Sequence, residues 1–211
     1  MTAYDRVVLA TTNPHKVEEL AAILADVLGE LGLTLVGQQE YAAVPDVVED
    51  GVTFAENALL KARAVVAATG LPALADDSGL AVDVLGGAPG IFSARWSGRL
   101  DLPRAEKDRA NLELLLAQLA DVKDEHRGAG FVCAAVLVLP DGTERVAEGH
   151  FRGTLTREPI GDNGFGYDPI LRVEGDTRTS AQLTPEEKNA VSHRGKAFRA
   201  LAPHLRELLS P

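Results

Sequence analysis

The stretch Asp5-Arg6-Val7-Val8-Leu9-Ala10-Thr11 decides the fold class. It is a short apolar run that reads as a buried strand, and a polar Thr-Asn-Pro segment follows it. Val17, Leu20, Ala21, Leu24, Val27, Leu28 and Leu31 then recur at the spacing of one apolar helix face. Strand, short loop and helix form the opening unit of an α/β protein. Leu33 to Gly37 reads as a second strand, followed by a polar stretch, Gln38 to Gly51, that contains Pro45 and the acids Asp46, Glu49 and Asp50. Thr53-Phe54-Ala55-Glu56 has the N-cap and N3 residues of a capping box, and the helix it opens is expected to stop near Gly70-Leu71-Pro72.

Further along, the apolar strand Leu71 to Ala75 is expected to end at Asp76-Asp77-Ser78-Gly79, with Leu80 to Leu85 and the loop Gly86-Gly87-Ala88-Pro89-Gly90 after it. The spacing predicts a long helix from Pro103 to about Leu119 and a continuous apolar strand from Phe131 to Leu139. Pro140-Asp141-Gly142-Thr143 reads as a hairpin turn into a more polar strand, Thr143 to Leu155. Gly161 to Asp168 is a second glycine-rich loop, Thr184 caps a short helix, and Ser192 opens the last one, through Leu209. The expected architecture is α/β: a single domain over residues 1–211, with a mixed central sheet flanked by helices and two lobes around a substrate cleft.

Composition bounds the function classes. At 45% hydrophobic and 25% charged residues, the chain is ordinary for a soluble globular protein. Its longest apolar run, Phe131 to Leu139, is far short of the ~20 residues of a membrane-spanning helix, and no basic leader precedes an apolar stretch. A cytoplasmic enzyme or binding protein is the expectation, with no membrane partner. The net charge of −10 argues against sequence-independent binding to nucleic acid. One cysteine, Cys133, excludes internal disulfides and any CxxC metal site. Lys188, Arg194, Lys196, Arg199 and Arg206 lie in a segment without acids, a local positive patch suited to a small polyanion.

Several segments carry candidate chemistry. Asp76 and Asp77 are adjacent carboxylates beside Ser78, and carboxylates are rarely buried unpaired, so they face a cation, a water or solvent; the alternative is an Asx turn. If the chain folds back so that Glu49 meets both, three carboxylates would make an oxygen site for Mg²⁺, a hard ion that engages phosphates. Thr11-Thr12-Asn13-Pro14-His15-Lys16 lies between strand and helix, where backbone N–H groups, the helix dipole and a lysine favour an anion, although no GxxxxGK[ST] loop is present. Gly164-Phe165-Gly166-Tyr167-Asp168-Pro169 pairs aromatic rings with glycines, so that a flat base could stack on Phe165 or Tyr167. Ser192-His193-Arg194 offers donors at a helix start, one turn after Lys188, and Asn57 and Lys61 share a helix face at i and i+4. No HExxH or GxSxG motif occurs.

Taken in order, residues 11–16, Thr53 to Ala58, Ala75 to Leu80, Gly87 to Arg95, Gly164 to Pro169 and Ser192 to Gly195 closely resemble the inosine triphosphate pyrophosphatase family, also called Ham1. The resemblance spans nearly the whole chain. It implies a homodimeric, Mg²⁺-dependent enzyme that hydrolyses ITP, dITP and XTP to the monophosphate and pyrophosphate and so clears deaminated purines from the nucleotide pool. Residue by residue, it implies that Thr11, Thr12, Asn13, Pro14, His15 and Lys16 bind the triphosphate, and that Glu49 and Asp77 hold the metal. Asp77 would also accept the proton from water with Asp76 in support, although the sequence leaves open which of the two is the base. Ser78, Phe165, Gly166, Tyr167, Asp168, Lys188, His193 and Arg194 would be the remaining substrate contacts, the last two near the base. Phe92 and Trp96 stand where many relatives carry tyrosine, and Thr12 where glycine is frequent, which bears on fine substrate preference. The rival readings are a Maf-like pyrophosphatase for other nucleotides and a nucleotide-binding module without catalysis.

Overall fold

In the computed structural model, residues 4–41 and 44–210 are described. The chain runs β1 (Arg6–Leu9), α1 (Pro14–Ile23), α2 (Ala25–Leu31), β2 (Thr34–Gly37), α3 (Phe54–Thr69), β3 (Ala73–Val82), α4 (Arg104–Gln118), β4 (Gly128–Val138), β5 (Glu144–Leu155), β6 (Leu171–Val173), α5 (Pro185–Val191) and α6 (His193–Leu209), with short 3₁₀ turns between. The strands form one sheet in the order β2-β1-β3-β4-β5-β6. β1 is parallel to β2 and to β3, whereas β5 and β6 are antiparallel, so the sheet is mixed as expected. By contact density the chain divides into two compact units. One holds Met1–Asp77, Cys133–Gly149 and Arg194–Pro211; the other holds Ser78–Val132 and His150–His193.

In the first unit β1 is buried on both faces from Val7 to Leu9, which is why it reads as a continuous apolar run. Successive side chains of a strand point to opposite faces. Val7 and Leu9 accordingly join the core formed with Leu20, Leu28, Phe198 and Leu201 of α1, α2 and α6. Val8 joins Ala58, Ala62 and Val65 of α3 on the other face. β3 repeats the alternation, Leu74 siding with α1 and α6, Ala73 and Ala75 with α3. The capping box of α3 is present in full, and Gly70 ends the helix in the left-handed conformation that the sequence calls for. The expected single helix from Val17 to Leu31 is two, because Leu24 leaves helical geometry at φ −99°, ψ 7°. Their apolar residues still enter one core.

The second unit packs α4 through Leu112 and Leu115 onto Leu80, Phe131, Phe151, Tyr167 and Ile170. Arg127 is buried there and donates to the carbonyls of Leu119, Leu155 and Thr156 at 2.7–2.9 Å, which ties the end of α4 to the end of β5. One expectation fails. The strand that was to end at Asp76 continues through Asp77, Ser78 and Gly79 to Val82. Gly79 makes this possible: a Cβ there would stand 2.5 Å from the Gly90 carbonyl oxygen and from Ser93 Oγ. Ser93 Oγ instead accepts from Leu80 N–H at 2.9 Å and donates to Gly90 O at 2.6 Å. The acidic pair therefore lies inside a strand, in extended backbone, and not in an Asx turn.

Candidate active site

Strand alternation sorts the two adjacent acids. Asp76 shares the side of Leu74 and faces α1 and α6; Asp77 shares the side of Ala73 and Ala75 and faces α3. Asp76 is almost fully buried, and its carboxylate accepts from Lys16 Nζ of α1 at 3.2 and 3.4 Å and from Arg194 Nε of α6 at 3.1 Å. Burial alone would raise its pKa. Arg194, Lys16 and Lys61 overcome that and hold the carboxyl well below the usual range, so it stays ionised. Arg194 also approaches Glu19 at 3.7 Å.

Asp77 is only partly buried and meets α3. Lys61 Nζ lies 3.3 Å from its Oδ1, and Asn57 Nδ2 donates to Oδ2 at 3.3 Å. The same Lys61 ammonium lies 3.4 Å from Glu49 Oε2. Burial raises the Asp77 pKa, Lys61 opposes it and Glu49 adds to it, and the net shift is upward. Asn57 is itself buried, and its side-chain oxygen accepts from Gly51 N–H at 2.9 Å, which fixes the loop that presents Glu49. Asn57 and Lys61, which the sequence marked only as sharing a helix face, are thus the two residues that organise Glu49 and Asp77.

The expected convergence of three carboxylates is corrected. Among the described residues no group of three or more acids, histidines or cysteines is placed to hold a metal ion. Glu49 and Asp77 share one cation, while Asp76 is committed to two others. Neighbouring positions of a strand cannot point the same way, and that is the physical reason. The pair still suits a hard divalent ion, which takes one or two carboxylates and completes its shell with water and phosphate oxygens. The position of Lys61 marks where positive charge is favourable between them.

Beside these groups lies a polar cavity of about 300 Å³ lined by Thr11, Thr12, Lys16, Gln38, Glu49, Lys61 and Asp76, among others. Thr12, Asn13, Pro14 and His15 are exposed, and Thr11 and Lys16 half-buried. The helix start differs from expectation. Asn13 caps α1 by accepting the His15 N–H at 3.1 Å, and its own N–H goes to Thr11 Oγ1. Those donors are already engaged, so Lys16 is the cationic contribution of this loop.

The second unit gathers the other expected residues. Asp168 is buried, with its carboxylate accepting from Phe165 N–H at 2.9 Å, Ser180 Oγ at 2.8 Å and Lys188 Nζ at 2.5 Å. Gly164 sits at φ +79°, and any side chain there would collide with that carboxylate. Of the two rings offered for stacking, only Phe165 is accessible, at 59% exposure. Tyr167 is in the core with its hydroxyl donating to Ser93 O at 2.9 Å, so its place is structural. Gly166, at φ +61°, completes the turn between them. His193 stacks on Phe131 with ring centroids 5.1 Å apart, and Ser78 is half-buried on β3. The basic C-terminal patch is largely neutralised, Lys188 by Asp168, Arg194 by Asp76 and Arg206 by Glu30.

Residues 7–204 match the model of the Ham1 family. The chain belongs to the Ham1 family. It is 67% identical over 206 residues to the dITP/XTP pyrophosphatase of Streptomyces avermitilis, covering 97% of this chain and 98% of that one. Against the dITP/XTP pyrophosphatase of Mycobacteroides abscessus the identity is 51% over 205 residues, with 97% of each chain covered. The fold agrees with the solved HAM1 protein of Coxiella burnetii at a TM-score of 0.85 and 41% identity, over 97% of this chain and all of the other. The Staphylococcus aureus Ham1 structure gives a TM-score of 0.84 at 38% identity, over 96% and 98% of the two chains. No described helix is long and apolar enough to cross a membrane.

Proposed function

We propose that this Ham1 chain hydrolyses dITP, ITP and XTP to the nucleoside monophosphate and pyrophosphate; relatives at 51–67% identity are named dITP/XTP pyrophosphatase. The observation that carries the reading is the pairing of Glu49 and Asp77 on one ammonium beside the Lys16 cavity. The first unit would bind the triphosphate: Lys16 and Lys61 supply positive charge to a polyanion, and Thr11 and Thr12 supply hydroxyl donors. Glu49 and Asp77 would hold Mg²⁺. When bound, such an ion neutralises phosphate charge and lowers the pKa of a coordinated water. Asp77 is assigned as the group that accepts the proton from the attacking water. Asp76 is not assigned that role, because it is almost fully buried between Lys16 and Arg194 and held well below the usual carboxylate range, which makes it the weaker base. It instead fixes the position of Lys16. Attack at the α-phosphorus then releases pyrophosphate from the side that Lys16 stabilises. In the second unit, Phe165 would stack on the base, with Lys188, Asp168 and His193 supporting it.

A homodimer, a cytoplasmic location and a role in clearing deaminated purines belong to the same proposal. The test is pyrophosphate release from a panel of ITP, XTP, dITP, GTP, ATP and pyrimidine triphosphates, with and without Mg²⁺. Selective, metal-dependent turnover of the first three is expected; equal rates across the panel would reject the reading, and a preference for pyrimidine substrates would favour a Maf-like activity. Asp77→Asn should lower kcat by about 10²- to 10⁴-fold with folding intact. Near-normal turnover of that variant would remove Asp77 from the role of base.

A further inference from the structure

Arg104 is the first residue of α4, and its position there is electrostatically unfavourable, since cations are disfavoured at a helix N-terminus. Among the described residues it makes no ion pair that would offset this. Its guanidinium instead lies over the ring of Phe165, with Cζ 5.3 Å from the centroid. Lys188 Nζ is also 5.5 Å from that centroid, but it is bound to the buried carboxylate of Asp168. One cation over the ring is therefore fixed and the other is held by the ring alone. The ring is presented to solvent by a rigid device: Asp168 fixes the Phe165 N–H, and the glycines on either side adopt positive φ.

A solvent-exposed phenylalanine covered by an unpaired guanidinium is a stacking platform with a movable cap. We propose that Arg104 is a specificity-determining residue that yields the face of Phe165 to the base, moves to the edge of that base and donates hydrogen bonds to its 6-keto side. This rests on the reading of Phe165 as the base platform. A guanidinium carries five N–H donors and no acceptor. It can donate to the 6-keto oxygen and N7 of hypoxanthine and of xanthine, while the 6-amino group of adenine, a donor, would face it unmatched. Nothing in the triphosphate chemistry requires Arg104, so its effect should fall on binding of the base.

The experiment compares wild type, Arg104→Ala and Arg104→Lys in steady-state turnover of XTP, ITP and ATP, with inhibition by inorganic tripolyphosphate as a probe that has no base. For Arg104→Ala the expected result is a rise of about tenfold in KM for XTP and ITP with kcat within about twofold. KM for ATP and the tripolyphosphate inhibition constant should be unchanged. Arg104→Lys, which keeps charge without the planar fork, should recover only part of the loss. Unchanged KM for XTP and ITP would overturn the proposal, as would an equal loss for ATP or for tripolyphosphate. If wild type fails to hydrolyse XTP and ITP, the functional reading itself fails first, and the two failures are distinct.

Discussion

Replacing Asp76 by asparagine removes one negative charge from between two cations while keeping the shape of the side chain. In the native protein that carboxylate is 4% exposed and Arg194 is 12% exposed, so neither is well hydrated. Breaking a buried ion pair by neutralising one partner typically costs about 3–5 kcal/mol, because the other charge stays buried. Two features place this site at the lower end: Glu19 remains 3.7 Å from Arg194, and Lys16 is 31% exposed and can turn toward water. The expected loss is thus about 3 kcal/mol. For a chain of this size each kcal/mol lowers the midpoint by about 2–4 °C, so the fall in Tm should be about 6–12 °C. Urea and thermal unfolding of Asp76→Asn, Arg194→Met and the double variant would measure it. The cycle should show a coupling energy of about 2 kcal/mol, since the double variant leaves no orphaned buried charge on Arg194. A loss under about 1 kcal/mol, or single losses that simply add, would refute the argument that Asp76 is held as a buried structural anion.

Two further predictions test the strand and the surface. Gly79→Ala should destabilise by about 1–3 kcal/mol, because the new methyl meets a backbone carbonyl that cannot yield as a side-chain tip can; a neutral effect in urea unfolding would contradict the close approach to Gly90. The Asp176 carboxyl is held at about 2 by hydrogen bonds from Arg178, below the ~3.9 of an unfolded aspartate. A depressed folded-state pKa means that its contribution to stability is present above about pH 4 and disappears as the pH falls toward 2. Carboxyl NMR titration should show this midpoint moving upward in Arg178→Gln, and an unmoved midpoint would count against the pairing.

What the sequence made legible was local. The capping box at Thr53, the left-handed stop at Gly70, the turn at Asp141-Gly142 and the cap at Thr184 each depend on residues within a few positions, and all form as read. The two-sided burial of Val7 to Leu9 in β1 was legible because a run without polar residues leaves no face for water. The passage of β3 through Asp76 to Gly79 was not, since its cause lies in Gly90 and Ser93, more than ten residues away. The neutralisation of the basic C-terminal segment was hidden for the same reason: its partners are Asp168, Asp76 and Glu30. In the candidate site, the i and i+4 spacing of Asn57 and Lys61 announced a shared face, but what that face meets depends on the parity of β3.

That parity has a consequence for how the two acids divide their duties. Were Asp76 and Asp77 at a turn, both could rotate toward one cation, and either could exchange roles with the other. Inside a strand they cannot. A residue on one face of the sheet is bound to the helices of that face, so Asp76 is given to Lys16 and Arg194, and Asp77 to Asn57 and Lys61. Exchanging the roles would require shifting β3 by one residue, which would also turn Leu74 and Ala75 to the wrong cores. The separation is therefore enforced by the same apolar alternation that holds the sheet together. Gly79 lets the strand run on past the pair without a clash against Gly90 and Ser93, which supports the extended geometry that imposes the separation. A glycine that touches neither acid thus keeps one carboxylate structural and leaves its neighbour available for chemistry.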